Sequence, residues 1–266
     1  MQKIQIWEKA FPLYDPQIKS EANDNINTID FYPVETDKPL PLVIVFPGGG
    51  YTFRSKPEEA GETAQYFNSQ NMHAAVVHYR VAPYHYPTGL MDAQRAIKLL
   101  RYHAEKLYID PDRVFTLGYS AGGHLCGMTA TFPDVCKVYG DDVDQLSHRP
   151  NGSILCYPVL SADDDKMHRS SFLNLLGDLF PQRQDFSLEK RVSADTCPCF
   201  IMHSAGDTMV LPTNSLVFAE SLIKHNIPCN LHIFQYGAHG AALKENDPCG
   251  KAWPALATDW IKTFEK

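Results

Sequence analysis

Residues 114–126, "VFTLGYSAGGHLC", hold a G-x-S-x-G pattern as Gly118-Tyr119-Ser120-Ala121-Gly122. So short a pattern also arises by chance, so its meaning rests on its flanks. Before it runs "RVFTLG", apolar and of the length expected for a strand buried on both faces. After it, "AGGHLCGMTATF" reads as helix or turn. A serine at such a junction, with glycine two positions to either side, fits a sharp turn where backbones approach too closely for a Cβ. Ser120 is therefore the first candidate for a reactive group.

Working outward, the same strand-then-helix alternation recurs. "INTIDFYPV" (residues 26–34) alternates like an early strand, and "LPLVIVFPGGG" is an unbroken apolar run closing on three glycines at 48–50. "MHAAVVHYRVAP" is another such run. Between the two, residues 57–70 place Ala60, Ala64 and Phe67 at helical spacing. In "GLMDAQRAIKLLRYHAEKLYID", Leu90, Ala93, Ile97, Leu100 and Ala104 recur at three and four, the mark of an amphipathic helix that Pro111 is expected to end. "GSILCYPVL", "CPCFIMHSAGD" and "CNLHIFQYG" read as three further strands. "TNSLVFAESLIKHN" is a helix capped by Thr213 or Asn214, and "WPALATDWIKTFEK" a closing helix with Trp253, Leu256, Trp260 and Ile261 available for one face. Alternation of this kind predicts an α/β fold, a mostly parallel central sheet with helices on both faces.

The 266 residues suit one large α/β domain, and no linker-like shift divides them. The expectation is a single domain over 1–266, with polar, weakly periodic residues 161–195 as a small cap or excursion above the sheet. Hydrophobic residues make up 44% and charged residues 21%, enough material for a sizeable core. The net charge of −7 is spread without a basic stripe, which argues against nucleic acid as a partner. No apolar run nears the length of about 20 residues that a membrane span needs. The start, "MQKIQIWEKAF", lacks the apolar region of a secretory signal, so a cytoplasmic setting is expected. The seven cysteines are scattered, and Cys197-Pro198-Cys199 has no second pair to complete a zinc site, so no metal is expected. Cys126, Cys156 and Cys199 read as small core residues in a reducing compartment.

In open parallel sheets ligands bind beyond the carboxyl ends of the strands. The strand ends here carry, in order, the triple glycine, Ser120, Asp207 in "HSAGDTMV" and His239 in "QYGAHGAAL". A serine hydroxyl needs a base to take its proton, and a glycine-flanked His239 can supply one. Asp207 is the acid expected to orient that imidazole, with Asp163, Asp164 and Asp165 as rivals after the preceding strand. The chain order Ser…Asp…His is the order of one known hydrolase architecture. An oxyanion would need backbone N–H donors, for which Gly49, Gly50 and Ala121 are the candidates. His124, a turn into the helix, reads as packing or capping. Tyr51 beside the glycines is a candidate substrate contact, with packing as the equal alternative.

Across nearly the whole chain the sequence resembles the α/β-hydrolase superfamily. "FPGGGY", "YRVAPYHYPTGLMDAQRAIKLLR", "DPDRVFTLGYSAGGHL", "HSAGDTMV" and "GAHG" are similar to its esterase and lipase branch related to hormone-sensitive lipase. Small bacterial acetylxylan esterase-like carbohydrate esterases look most alike. The resemblance implies Ser120 as nucleophile, Asp207 as acid, His239 as base and Gly49 and Gly50 as oxyanion donors. It also implies a short acyl ester, an acetylated sugar among the candidates, as substrate, and no cofactor. That branch usually has histidine before its glycines where this chain has Pro47, which leaves the backbone donors in place but unsettles the loop's shape. Only about forty residues precede the glycine strand, so an open pocket unsuited to long lipids is expected. Two other readings use parts of the same pattern: a prolyl-oligopeptidase-like serine peptidase, and a non-catalytic ligand-binding protein on the same fold. Homo-oligomer formation is left open.

Overall fold

The computed structural model describes residues 1–55 and 57–264. Eight strands form one sheet: β1 (Gln2–Gln5), β2 (Thr28–Tyr32), β3 (Leu40–Phe46), β4 (His73–His78), β5 (Ile109–Tyr119), β6 (Gly152–Cys156), β7 (Cys199–Ser204) and β8 (Cys229–Phe234). Their spatial order is β1-β2-β4-β3-β5-β6-β7-β8. The β1–β2 and β2–β4 pairs are antiparallel, and every pair from β4 to β8 is parallel. The helices are α1 (Gly61–Ser69), α2 (Thr88–Tyr102), α3 (Ala104–Leu107), α4 (Ala121–Thr131), α5 (Arg169–Leu176), α6 (Thr213–Lys224) and α7 (Pro248–Lys262).

The apolar runs that show no alternation in sequence do alternate in space, because successive strand side chains point to opposite faces. Leu42, Ile44 and Phe46 of β3 pack with α2, α4 and α6 on one side, while Val43 and Val45 pack with α1 and α7 on the other. Both faces are therefore apolar, and both are covered. The second face is closed by Trp253, Ala257, Trp260 and Ile261 of α7. Leu256, expected on that face, is instead 38% exposed.

Several expectations are corrected. Pro111 does not end a segment; it lies inside β5, and the β3–β5 register shifts between Leu40 and Leu42. The preceding helix ends earlier, at Tyr102, and the chain turns at Tyr108, which adopts φ 54°. β1 had no alternating pattern strong enough to mark it. Neither Thr213 nor Asn214 caps α6, whose N-cap position is Pro212 without a side-chain bond. Asn214 is buried, and its Oδ1 accepts the backbone N–H groups of Leu160 and Ser161, fastening the start of the excursion. Residues 161–195 fold into α5 and short 3-10 turns between β6 and β7.

Candidate active site

Five adjacent parallel strands deliver their carboxyl ends to one edge: β3, β5, β6, β7 and β8. Gly48 to Tyr51 follow β3, Ser120 follows β5, Tyr157 follows β6, Asp207 follows β7 and His239 follows β8. The β7–β8 register sets Ser204 opposite Phe234, so the loops bearing Asp207 and His239 leave the sheet side by side. Ser204 binds them together: its hydroxyl donates to the Gly237 carbonyl at 2.7 Å and accepts the Gly206 N–H at 3.1 Å.

Ser120 occupies φ 53°, ψ −117° between β5 and α4. Such a left-handed conformation is uncommon outside glycine and marks local strain held by its surroundings. The two motif glycines make that turn possible. A Cβ on Gly118 would fall 2.1 Å from the Gly122 carbonyl oxygen, and one on Gly122 would fall 2.2 Å from that of Phe46. The strand, the turn and the helix thus touch backbone to backbone.

The turn directs Ser120 at His239. Ser120 Oγ lies 2.9 Å from His239 Nε2, and His239 Nδ1 lies 2.6 Å from Asp207 Oδ2. Asp207 is 3% exposed. Its Oδ1 accepts the N–H groups of Met209 and Val210, each at 3.0 Å, and His203 Nε2 approaches Oδ2 at 3.3 Å. Burial works to raise its pKa, but hydrogen bonds from His203 and His239, with those backbone donors, outweigh it and hold the carboxyl well below its usual range. An ionised Asp207 fixes His239 with its proton on Nδ1, leaving Nε2 to accept from the serine hydroxyl.

Gly49 and Gly50 adopt φ 120° and 63°. Their N–H groups make no backbone hydrogen bond among the described residues. The N–H of Ala121, at the first position of α4, lies ahead of the helical ladder. None of the three N–H groups donates a backbone hydrogen bond among the described residues. The loop is braced from behind: Tyr79 donates to the Pro47 carbonyl at 2.6 Å, and Asn174 of α5 donates to the Gly50 carbonyl at 2.9 Å. Glu59 accepts the Gly48 N–H at 2.9 Å.

The rival acids are engaged elsewhere. Asp163 pairs with Lys190, Asp164 with Arg183 and Asp165 with Lys166. Tyr51 is a correction as a substrate contact: it is 2% exposed, and its hydroxyl meets His124 Nδ1 at 3.0 Å. His124 is a packing residue as expected, its Nε2 lying 2.9 Å from the Phe186 carbonyl. Burial pulls its pKa down to about 4, so the ring is neutral, accepts from Tyr51 and donates to Phe186. His168 went unnoticed in the sequence. Burial, then the nearby His239, keeps its imidazole below the ordinary value, and its Nδ1 lies 2.8 Å from the Ser171 hydroxyl. No local pattern marks Glu59 or Asn174, whose partners Tyr157 and Gly50 lie far away in the chain, and none marks His168.

Among the described residues, no group of three or more His, Cys, Asp or Glu side chains is arranged to hold a metal ion. No helix among them is long and apolar enough to cross a membrane.

This sheet, with its strand–turn–helix serine, defines an α/β hydrolase. Residues 29–222 match the BD-FAE family, and the chain belongs to it. It is 34% identical over 219 residues to endo-1,4-beta-xylanase B of Butyrivibrio fibrisolvens, covering 79% of this chain and 34% of that protein. It is 29% identical over 207 residues to an acetylxylan esterase of Xylanibacter ruminicola, covering 74% of this chain and 40% of that protein. The chain thus spans well under half the length of these curated relatives. An acetyl ester-xyloside bifunctional hydrolase from Caldicellulosiruptor lactoaceticus is 40% identical, with a TM-score of 0.89 and coverage of 98% of this chain and 96% of that one. An α/β hydrolase from a Medee basin deep-sea metagenome library is 28% identical, with a TM-score of 0.69 and coverage of 91% and 94%.

Proposed function

We propose that this protein is a serine carboxylesterase that removes short acyl groups, acetyl foremost, from carbohydrate esters. One observation carries the reading: the hydrogen-bonded line from Ser120 Oγ through His239 to the buried Asp207. His239 Nε2 takes the serine proton as Oγ attacks the ester carbonyl. The resulting oxyanion is met by the N–H groups of Gly49, Gly50 and Ala121, where loss of one such donor typically costs about 2.7–4 kcal/mol. The imidazolium, stabilised by Asp207, returns its proton to the departing alcohol and leaves an acyl-Ser120. His239 then draws a proton from water, whose attack releases the acid and restores the serine.

The acyl preference and the sugar alcohol rest on the relatives, named as an acetylxylan esterase and an acetyl ester-xyloside hydrolase. We take residues 1–266 to work as one domain, with residues 161–195 forming the wall above the site. The test is incubation with an organophosphonate followed by intact mass, alongside hydrolysis of acetyl, butyryl and octanoyl esters and of acetylated xylo-oligosaccharides. One adduct on the wild type and none on Ser120→Ala, with acetyl esters turned over fastest, is expected. A wild-type protein that takes no adduct would overturn the serine assignment. Faster turnover of octanoyl esters would overturn the short-acyl reading.

A further inference from the structure

Glu59 lies within a few residues of the start of α1, in "KPEEAG", where an acidic side chain would ordinarily face solvent. It is instead 7% exposed, and both its oxygens are engaged. Oε2 accepts the Gly48 N–H at 2.9 Å, and Oε1 accepts the Tyr157 hydroxyl at 2.8 Å. The Tyr157 oxygen in turn accepts the Ala242 N–H at 3.2 Å. Tyr157 also packs edge-on against the His239 ring, with centroids 5.0 Å apart and planes at 67°.

This carboxylate lies close to the serine: a Cβ placed on Gly48 would be 2.7 Å from Glu59 Oε2 and 3.2 Å from Ser120 Cβ. Two of the residues that it braces are strained, with Tyr157 at φ 36° and Ala242 at φ 42°. Positive φ at non-glycine residues persists only where the surroundings enforce it, and clusters near functional sites. Three strand ends are joined here through one buried carboxylate: the glycine loop through Gly48 and the β6 end through Tyr157 bond it directly, and the histidine loop joins through the Ala242 N–H on the Tyr157 hydroxyl.

On the esterase reading proposed above, the geometry points to Glu59, with Tyr157, as a positioning residue that sets the oxyanion loop against the His239 loop. It touches neither the reacting atoms nor, by these contacts, the substrate. Its effect is to keep the amides of Gly49 and Gly50 and the imidazole of His239 at the separation the transition state needs. Errors of about 1 Å in such a relation can cost on the order of 100-fold in rate.

The test is steady-state hydrolysis of p-nitrophenyl acetate by wild type, Glu59→Gln, Glu59→Ala and Tyr157→Phe, each normalised to its organophosphonate-reactive serine. Glutamine can still accept from Gly48 with its oxygen but cannot accept from Tyr157 with its nitrogen. Glu59→Ala is expected to lose about 100-fold in kcat with KM within about twofold of wild type. Glu59→Gln is expected to recover part of that loss, and Tyr157→Phe to fall about tenfold. An active wild type whose Gln and Phe variants keep full kcat per reactive serine would overturn this inference alone. So would a loss confined to the number of reactive serines, because that is what mere folding support would produce. A wild type that hydrolyses no ester and takes no phosphonate would overturn the esterase reading and this inference with it.

Discussion

Replacing His124 by glutamine should flatten the acid side of the protein's stability curve. His124 is fully buried, accepts from Tyr51, donates to Phe186 and titrates at about 4. In the unfolded chain a histidine titrates near 6.5. Between those values the unfolded state binds a proton that the folded state does not, so acid favours unfolding. The stabilisation is fully present above about pH 6.5 and is lost as pH falls toward 4. Each pH unit of the gap is worth about 1.4 kcal/mol, so about 2 kcal/mol is gone by pH 5 and about 3 kcal/mol by pH 4. The assay is urea unfolding of wild type and His124→Gln at pH 8, 6.5, 5 and 4. The variant starts lower at pH 8, by about 1–2 kcal/mol for one poorly replaced pair of buried hydrogen bonds. From there it should lose less than wild type as acid is added, so the two curves should meet between about pH 6 and 5 and cross, with the variant about 1–2 kcal/mol more stable at pH 4. The other histidines lowered by burial, His73, His148, His168 and His232, are present in both proteins and cancel in the comparison. Parallel curves from pH 6.5 to 4 would refute the placement of a neutral, buried imidazole at residue 124.

Ser120→Ala should lower turnover by several decades while leaving the urea midpoint nearly unchanged, since the hydroxyl contributes one partly buried hydrogen bond. Retained ester turnover would end its role as nucleophile. Asp207→Asn keeps the shape of the side chain but removes the charge that faces His239, and turnover should drop by about 10⁴-fold. A loss under tenfold would point to another acid. Gly122→Ala drives a methyl to within 2.2 Å of a backbone carbonyl that has no rotamer to yield. A destabilisation of about 3 kcal/mol or more is expected in urea, and a stable variant would contradict the close packing at that turn.

The sequence by itself determined the alternation of strands and helices, the buried character of the parallel strands and the turn that bears Ser120. Those are local properties: apolar run length, helical spacing, and glycines where neighbouring backbones exclude a Cβ. The pairing of Asp207 with His239 was legible as an order along the chain, but Asp163, Asp164 and Asp165 satisfied almost the same order. Only the β7–β8 register, which lets the two loops leave the sheet together, separated them. Tertiary packing likewise decided that Pro111 is accommodated within β5, that Asn214 fastens the excursion, and that Tyr51 turns inward to His124. A residue's spacing reports the shape of its own segment. What its side chain touches depends on segments 30 to 120 positions away, and in a sheet whose spatial order departs from chain order those partners are fixed only on folding.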